Sequence, residues 1–152
     1  MNPPELIQLA QNIELNNEDN FLLRIKFGLA CIERVEHFLT DNLVVDSLSI
    51  GKAYLAGKSS STHLREAAKT ASTLARSHPG SGGIDGTNNA AVSTSHGVAA
   101  ALAGRALEAA GYAAYASVYS YASYAVTDIS AYRTEHEWQI NKLKSLARSV
   151  ES

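Results

Sequence analysis

Cysteine is almost absent from this chain of 152 residues, because Cys31 is the only one. A single thiol excludes an intrachain disulfide and is typical of a reducing compartment. No stretch contains eighteen consecutive apolar residues, so we expect no helix that crosses a membrane. No basic segment precedes an apolar segment near residue 1, so we expect no signal peptide. These absences together predict a cytoplasmic protein.

Charge is also scarce, at 18% of the residues, and the formal net charge is −2. Without clustered lysine and arginine we expect no nucleic-acid partner. The charge is uneven, since residues 1–50 have a net charge of −5 and the remainder +3. An acidic face can steer a basic partner, although ordinary solvated helix faces explain the same imbalance.

Proline occurs at only three positions: two open the chain, and Pro79 lies in a glycine-rich stretch. That stretch has neither Walker nor dinucleotide-binding spacing and is predicted to be a flexible loop at about 79–86. Elsewhere alanine is abundant and β-branched runs are scarce, which favours helices over strands. We therefore predict an all-α fold, a compact bundle of about six or seven helices in a single domain over residues 1–152.

The predicted helices cover about residues 3–13, 17–39, 41–56, 61–77, 87–111 and 112–132, and a seventh begins at 134. Asn17 is a predicted N-cap, and Thr134 with Glu137 has the spacing of a capping box. The fifth helix is rich in alanine and glycine, whose small side chains let neighbouring backbones approach closely. We therefore predict that it lies at the centre of the bundle.

Histidines offer no metal motif. The five are His37, His63, His78, His96 and His136. No two share a helix at ligand spacing, and no His-Glu-x-x-His segment exists, so we expect no metal and no cofactor. His96 falls on the apolar stripe of Val92 and Ala103, which predicts a structural core histidine, with a metal ligand or general base as the alternative. Cys31 and Trp138 are likewise predicted to belong to the core.

The sixth predicted helix carries tyrosines on two faces, Tyr112, Tyr115 and Tyr119 on one and Tyr121 and Tyr124 on the other. The first face lies beside apolar residues and is predicted to be core. The second face is otherwise polar and includes Asp128. Aromatic side chains on a polar face are enriched in binding sites, so the second face is a candidate contact surface. The alternative is that another helix covers it.

Four segments, in order, are similar to the motifs of one family. Residues 29–35, LACIERV, are similar to Ala-x-Cys-Ala-Glu-Arg-Val, and residues 51–58, GKAYLAGK, to a helix end Ala-x-x-Trp-Ala-x-Gly. Residues 95–101, SHGVAAA, are similar to Gly-His-Ala-Val-Ala-Thr-Ala. Residues 137–139, EWQ, are similar to a closing Glu-x-x-Trp-Gln, and Glu135 fits that motif's literal spacing. Over about residues 22–146 the chain resembles the Imm5 immunity proteins, all-helical antidotes found beside bacterial polymorphic toxins.

The chain departs from that family at a few positions. Tyr54 stands where tryptophan is usual, Leu102 and Ala103 replace a region that often bears a second histidine, and the glycine-rich loop is longer. If the second histidine belongs to a functional pair, its absence argues further against metal binding or catalysis. The family has no catalytic residues to transfer. The resemblance implies neutralisation of a cognate toxin by tight binding.

The leading hypothesis is therefore an immunity protein, without enzymatic activity, that occludes a toxin effector. Its expected partner-binding residues are Tyr121, Tyr124 and Asp128, with Glu33 and Glu36 as an acidic set that guides encounter. We expect no membrane insertion.

Two alternatives remain open at this point. One is a small helical enzyme that uses His96 with a distant carboxylate. The other is a helical adaptor that self-associates. A homodimer is compatible with an immunity protein as well as with such an adaptor.

Overall fold

The fold is a bundle of helices around one hydrophobic core. The computed structural model describes residues 2–77, 86–121, 125 and 128–151, apart from the side chains of 86–88, 121, 150 and 151. Within these ranges there is no strand, and the α-helices are α1 (Pro4–Asn12), α2 (Phe21–Glu33), α3 (Asn42–Leu55), α4 (Ser61–Ser77), α5 (Gly86–Leu102), α6 (Ala106–Tyr121) and α7 (Arg133–Glu151). Short 3-10 helices lie at Glu18–Asn20, Glu36–Phe38 and Ile129–Tyr132. The predicted all-α fold class is confirmed. None of the described helices is both long and apolar enough to cross a membrane.

Helix α5 lies at the centre of the bundle, as predicted. It packs against α6, α4, α2 and α3. Its buried residues are mostly small, and they include Ala90, Ala91, Ala99, Ala100 and Ala101. Small side chains let the neighbouring backbones come close, so α5 contacts its neighbours through many short side chains, whereas α2 contributes large ones such as Phe27 and Leu29.

Two glycines lie where side chains of neighbouring helices fill the space beside their backbone. A Cβ on Gly51 in α3 would overlap the Leu102 side chain of α5. A Cβ on Gly97 in α5 would lie 2.5 Å from Cδ1 of Ile32 in α2 and 3.3 Å from Cβ of Tyr112 in α6. A side chain at either position would need space that its neighbours now fill.

Helix α5 ends earlier than predicted, and the prediction of a single helix that reaches residue 111 is wrong. Gly104 has φ +80°, a left-handed conformation that glycine adopts without steric cost. The Gly104 N–H donates to the Ala101 carbonyl at 3.1 Å, and the Arg105 N–H donates to the Ala100 carbonyl at 2.9 Å. This pair of hydrogen bonds is the Schellman motif, which ends α5 and reverses the chain into α6.

Other predicted boundaries also differ from the structure. The helix predicted over 17–39 is divided, because α2 ends at Glu33 and Val35 leaves the helical conformation with its side chain fully buried. Asn17 does act as a cap, although of the 3-10 helix Glu18–Asn20, since its side chain accepts a hydrogen bond from the Asp19 N–H.

The later helix boundaries differ as well. Asp128 has an extended backbone, which interrupts the helix predicted over 112–132. Helix α7 begins at Arg133, so Thr134 lies inside it. Of the loop predicted at 79–86, only Gly86 lies within the described residues.

The three buried hydroxyl groups of α5 that the structure describes each donate a hydrogen bond. The Thr94 hydroxyl donates to the Ala90 carbonyl at 2.7 Å, and the Ser95 hydroxyl donates to the Ala91 carbonyl at 3.0 Å. The Ser93 hydroxyl donates to the Tyr112 carbonyl at 2.8 Å. Because these bonds use the helices' own carbonyls, the polar groups do not disturb the close packing.

Replacing Gly97 with alanine tests the close approach of α2, α5 and α6. Overpacking a core costs about 1 to 3 kcal/mol, which exceeds the roughly 0.5 to 1 kcal/mol that alanine gains over glycine inside a helix. We expect Gly97→Ala to lower the free energy of unfolding by about 1 kcal/mol, as measured by urea denaturation.

The second variant, Ile32→Val, removes the methyl group that the new Cβ meets. Alone, Ile32→Val should lower the free energy of unfolding by about 0.5 to 1.5 kcal/mol. Combined with Gly97→Ala it should cost less than the sum of the two single changes, because the clash is relieved. Additivity within about 0.5 kcal/mol would show that this contact does not limit the approach of the helices.

Candidate functional site

Three tyrosines form an exposed stripe along α6. Glu108, Tyr112, Tyr115 and Tyr119 follow one another at positions i, i+4, i+7 and i+11, which places them on one side of the helix. Tyr112 and Tyr115 are 38% and 37% exposed, and Tyr119 is partly buried. Tyrosine side chains therefore line this side of α6 along about two turns of helix.

Contacts between aromatic rings connect the tyrosines of this stripe to each other and to His96 of α5. The His96 ring stacks on the Tyr112 ring with centroids 5.5 Å apart, and the rings of Tyr115 and Tyr119 lie 5.4 Å apart. Burial of its hydroxyl, with Tyr119 nearby, raises the pKa of Tyr115 above its ordinary value. We call His96, Tyr112, Tyr115 and Tyr119 the aromatic strip.

The prediction that the face of Tyr112, Tyr115 and Tyr119 belongs to the core is wrong. The buried side of α6 consists mainly of alanines, namely Ala106, Ala109, Ala110, Ala113, Ala114 and Ala116. Helices α5 and α6 pack too closely for a tyrosine ring to fit between them, so the rings point outward. The same small-residue argument that placed α5 at the centre would have predicted this orientation if it had been applied to α6.

The segment that follows α6 presents an exposed apolar side chain, beside residues of α1 and α7. The 3-10 helix Ile129–Tyr132 packs against α6 and α7. Ile129 is 82% exposed. Asp128 precedes it, and one carboxylate oxygen accepts from the backbone N–H of Ser130 at 3.0 Å and from its hydroxyl at 2.8 Å. Asp128 thus holds the turn that presents Ile129, a role its position in the sequence did not indicate.

The other predicted partner-binding residues are not brought together by a described contact. Tyr121 is the last residue of α6, and its side chain and the whole of Tyr124 lie outside the described residues. Glu33 is exposed at the end of α2. Glu36 pairs with Lys52 of α3 at 2.8 Å, an exposed ion pair of the kind that contributes little stability.

A second, half-buried cluster joins the end of α2 to α7. The Arg34 Nε–H donates to both carboxylate oxygens of Glu135, at 2.6 and 2.8 Å, and the Glu135 side chain is only 7% exposed. The Arg34 guanidinium lies 4.1 Å from the centre of the Trp138 ring. Trp138 in turn packs against the hydrophobic core. This arrangement fixes the start of α7 against the end of α2.

Cys31 lies beside this cluster and is buried. Burial raises the pKa of the Cys31 thiol far above its usual range, and the Glu135 carboxylate acts in the same direction. A protonated, buried thiol is not a nucleophile. Within the described ranges, no group of three or more histidine, cysteine, aspartate or glutamate side chains is arranged to hold a metal ion.

Comparison with known proteins identifies a family relationship over most of the chain. Residues 17–146 match the model of the family described as "Imm-5 like putative immunity protein". No curated protein and no solved structure matches the chain.

The structure brings together residues from the first and last motifs noted in the sequence. Cys31 and Arg34 come from the first motif, and Trp138 and Gln139 from the last. The Gln139 side chain donates to the Ala110 carbonyl at 2.9 Å, which links α7 to α6. Of the two glutamates that fit the last motif, Glu135 is the one that pairs with Arg34, whereas Glu137 is exposed.

The ion pair of Arg34 and Glu135 should show an asymmetric response to mutation. Arg34→Gln leaves a buried carboxylate without its cation, whereas Glu135→Gln leaves an arginine that is 37% exposed and free to turn to solvent. Loss of one partner of a fully buried pair costs about 3 to 5 kcal/mol, and partial exposure reduces this. We expect about 2 kcal/mol for Arg34→Gln and clearly less for Glu135→Gln in urea denaturation.

The control for this pair is Lys52→Gln, which breaks the exposed pair with Glu36. It should change the free energy of unfolding by less than about 1 kcal/mol. Equal losses for all three variants would contradict the role assigned to the buried carboxylate.

His136 should make stability depend on pH. Its buried Nε2 has no hydrogen-bond partner among the described residues, and burial lowers the pKa of its ring below the ordinary 6.5. The unfolded chain therefore binds the proton more tightly, so stability is complete above pH 6.5 and is lost as the pH falls through that value toward the lower folded-state pKa.

The variant His136→Phe keeps a ring to stack on Tyr132, whose centroid lies 5.4 Å from that of His136. We expect the wild-type chain to lose stability relative to this variant as the pH falls below about 6.5, in urea denaturation at a series of pH values. Parallel pH profiles for the two chains would assign the pH dependence to other groups.

Proposed function

This chain belongs to the Imm-5-like immunity proteins, and we propose that it binds a toxin protein tightly and blocks the toxin's active site or substrate path. An immunity role of this kind needs a stable surface that recognises another protein. The proposal is that the helical bundle supplies that surface and that no chemistry on the toxin is required.

The exposed aromatic strip is the observation that supports this proposal. Tyrosine is enriched among the few residues that supply most of the binding energy in protein interfaces, since its ring buries a large area at a low cost in entropy. Tyr112 and Tyr115 are exposed although most of α6 is buried. The ring contacts of Tyr112 with His96 and of Tyr115 with Tyr119 restrain these side chains before binding, which lowers the cost of ordering them.

We propose that the contact surface continues from the strip past the end of α6. The exposed Ile129 begins a 3-10 helix that packs against α6, and Asp128 precedes it as the capping residue. Tyr121 and Tyr124, the tyrosines predicted from the sequence, lie in the chain between the strip and Asp128. A standard interface buries about 800 Å² on each partner, more than a single tyrosine provides, so several of these groups would be needed together.

Acidic residues have a different proposed role. Glu33 is exposed and Glu36 already pairs with Lys52, so neither is a candidate for a buried anchor. Charges at the rim of an interface mainly change the rate of encounter and its dependence on salt. With a net charge of −5 over residues 1–50, this part of the chain would favour a toxin with a basic surface.

Co-expression tests the function directly. The C-terminal domain encoded by the neighbouring open reading frame should arrest growth when expressed alone, and this chain should restore growth. The purified pair should form a complex in which the toxin domain is inactive. If growth is not restored, or if the toxin domain stays active in the complex, neutralisation by occlusion is wrong for this pair.

The double variant Tyr112→Ala with Tyr115→Ala should weaken the complex. We expect a loss of at least about 2 kcal/mol, or roughly thirtyfold in Kd, because the strip loses two of its rings. The measurement is titration calorimetry with the toxin domain, after thermal denaturation has shown that the variant folds. Tyr121→Ala with Tyr124→Ala, measured in the same way, tests the pair predicted from the sequence.

The matched control is Leu43→Ala in α3, where the side chain is 58% exposed and lies outside the strip. It should leave the affinity unchanged. Full affinity in the Tyr112 and Tyr115 variant would remove the strip from the interface, and a loss in Leu43→Ala alone would move the interface to α3. Sizing at several concentrations separates this proposal from self-association, in which the strip variants would dissociate an oligomer without any toxin.

A further inference from the structure

A groove between α4 and the end of α5 combines an apolar floor with two cations. It encloses about 410 Å³, which lies within the range of about 300 to 1,000 Å³ typical of small-molecule sites. The residues that supply its apolar walls are Phe21, Leu64, Ala68, Leu102 and Ala103. Its remaining lining residues are Ser61, Arg65 and Lys69. No residue of α6 lines it, so it is separate from the aromatic strip.

Helix periodicity explains why the charged and apolar residues lie side by side. Ser61, Arg65 and Lys69 are spaced four residues apart on α4, and Leu64 and Ala68 repeat the same spacing one position earlier. Leu64 is buried, whereas Arg65 and Lys69 are exposed. The groove therefore follows the boundary between the buried and the solvated side of α4.

Arg65 and Lys69 form no ion pair within the described part of the protein. No carboxylate lines the groove, and no described carboxylate lies within 4.0 Å of Arg65 or Lys69. A third cation stands next to it, because the Arg24 guanidinium lies 5.6 Å from the centre of the Phe21 ring. Arg24 already donates to the carbonyls of Leu15 and Asn17, which fixes its charge in place.

We infer that this groove binds a small anionic amphiphile, a carboxylate at the end of an unbranched apolar chain. The apolar chain would lie over Phe21, Ala68 and Ala103, above the buried Leu64 and Leu102, and the carboxylate would meet Arg65 and Lys69. Both parts of such a ligand contribute favourable binding free energy. The apolar chain is removed from water, and the carboxylate binds cations that have no ion-pair partner in the described structure. In a neutral or cationic ligand of the same length, only the apolar chain contributes favourable binding free energy.

Titration calorimetry with decanoate, below the concentration at which it forms micelles, is the first test. We expect one site per chain, with decanoate binding about tenfold more tightly than octanoate because two more methylene groups are buried. Decyltrimethylammonium should bind at least tenfold more weakly than decanoate. Methyl NMR signals of Leu64 and Leu102 should shift on addition of decanoate.

Two variants test the two parts of the site. Arg65→Gln with Lys69→Gln should weaken decanoate binding at least tenfold and abolish the preference over the cationic amphiphile. Ala103→Phe, at an exposed lining position, should narrow the groove and weaken both ligands. Thermal denaturation of each variant checks that it folds.

The matched control, Arg76→Gln with Lys144→Gln, removes the same net charge from exposed positions outside the groove. It should bind decanoate like the wild-type chain. Equal binding of decanoate and decyltrimethylammonium, or an equal loss in the control, would overturn the inference and leave Arg65 and Lys69 as solvated surface cations. None of these measurements uses the toxin, so their outcome is independent of the proposed function.

Discussion

Close packing of backbones around α5 is the constraint on which the rest of the structure depends. In α2, a Cβ on Gly28 would lie 3.2 Å from Cα of Ala101, so α2 can come this close to α5 only because that position carries no side chain. The alanines of α5 and α6 allow the same closeness between those two helices. Because alanines fill the interface between α5 and α6, the large rings of α6 have no room there and lie at the surface. The surface proposed for toxin binding is thus a consequence of how the core is packed.

The buried ion pair of Arg34 and Glu135 performs the complementary task of orienting α7. Helix α7 packs mainly against α2, α1 and α6, so the small-residue packing around α5 contributes little to its position. A hydrogen-bonded ion pair covered by Trp138, together with the Gln139 side chain on the Ala110 carbonyl, gives this helix a defined position and register. Interactions of this kind specify one arrangement because a carboxylate shifted away from its cation would stay buried and unpaired.

The two proposed surfaces use different edges of the central helix. The aromatic strip lies where α5 meets α6, and the cationic groove lies where α5 meets α4. The strip is rich in rings that suit a protein partner, whereas the groove combines a narrow apolar floor with unneutralised cations that suit a small anion. A compact helical bundle has room for both because its helices bury one side and leave the other to solvent.

Composition and periodicity alone determined the all-α class, the central place of α5 and the family resemblance, because alanine content, missing breakers and motif order are local properties of the chain. Tertiary structure decided where α2 and α5 end, since the burial of Val35 and the left-handed Gly104 override helix propensity. It also decided which tyrosines face solvent and that Glu135 rather than Glu137 pairs with Arg34. Those outcomes depend on the distance between neighbouring helices. The spacing of residues along one helix does not determine that distance.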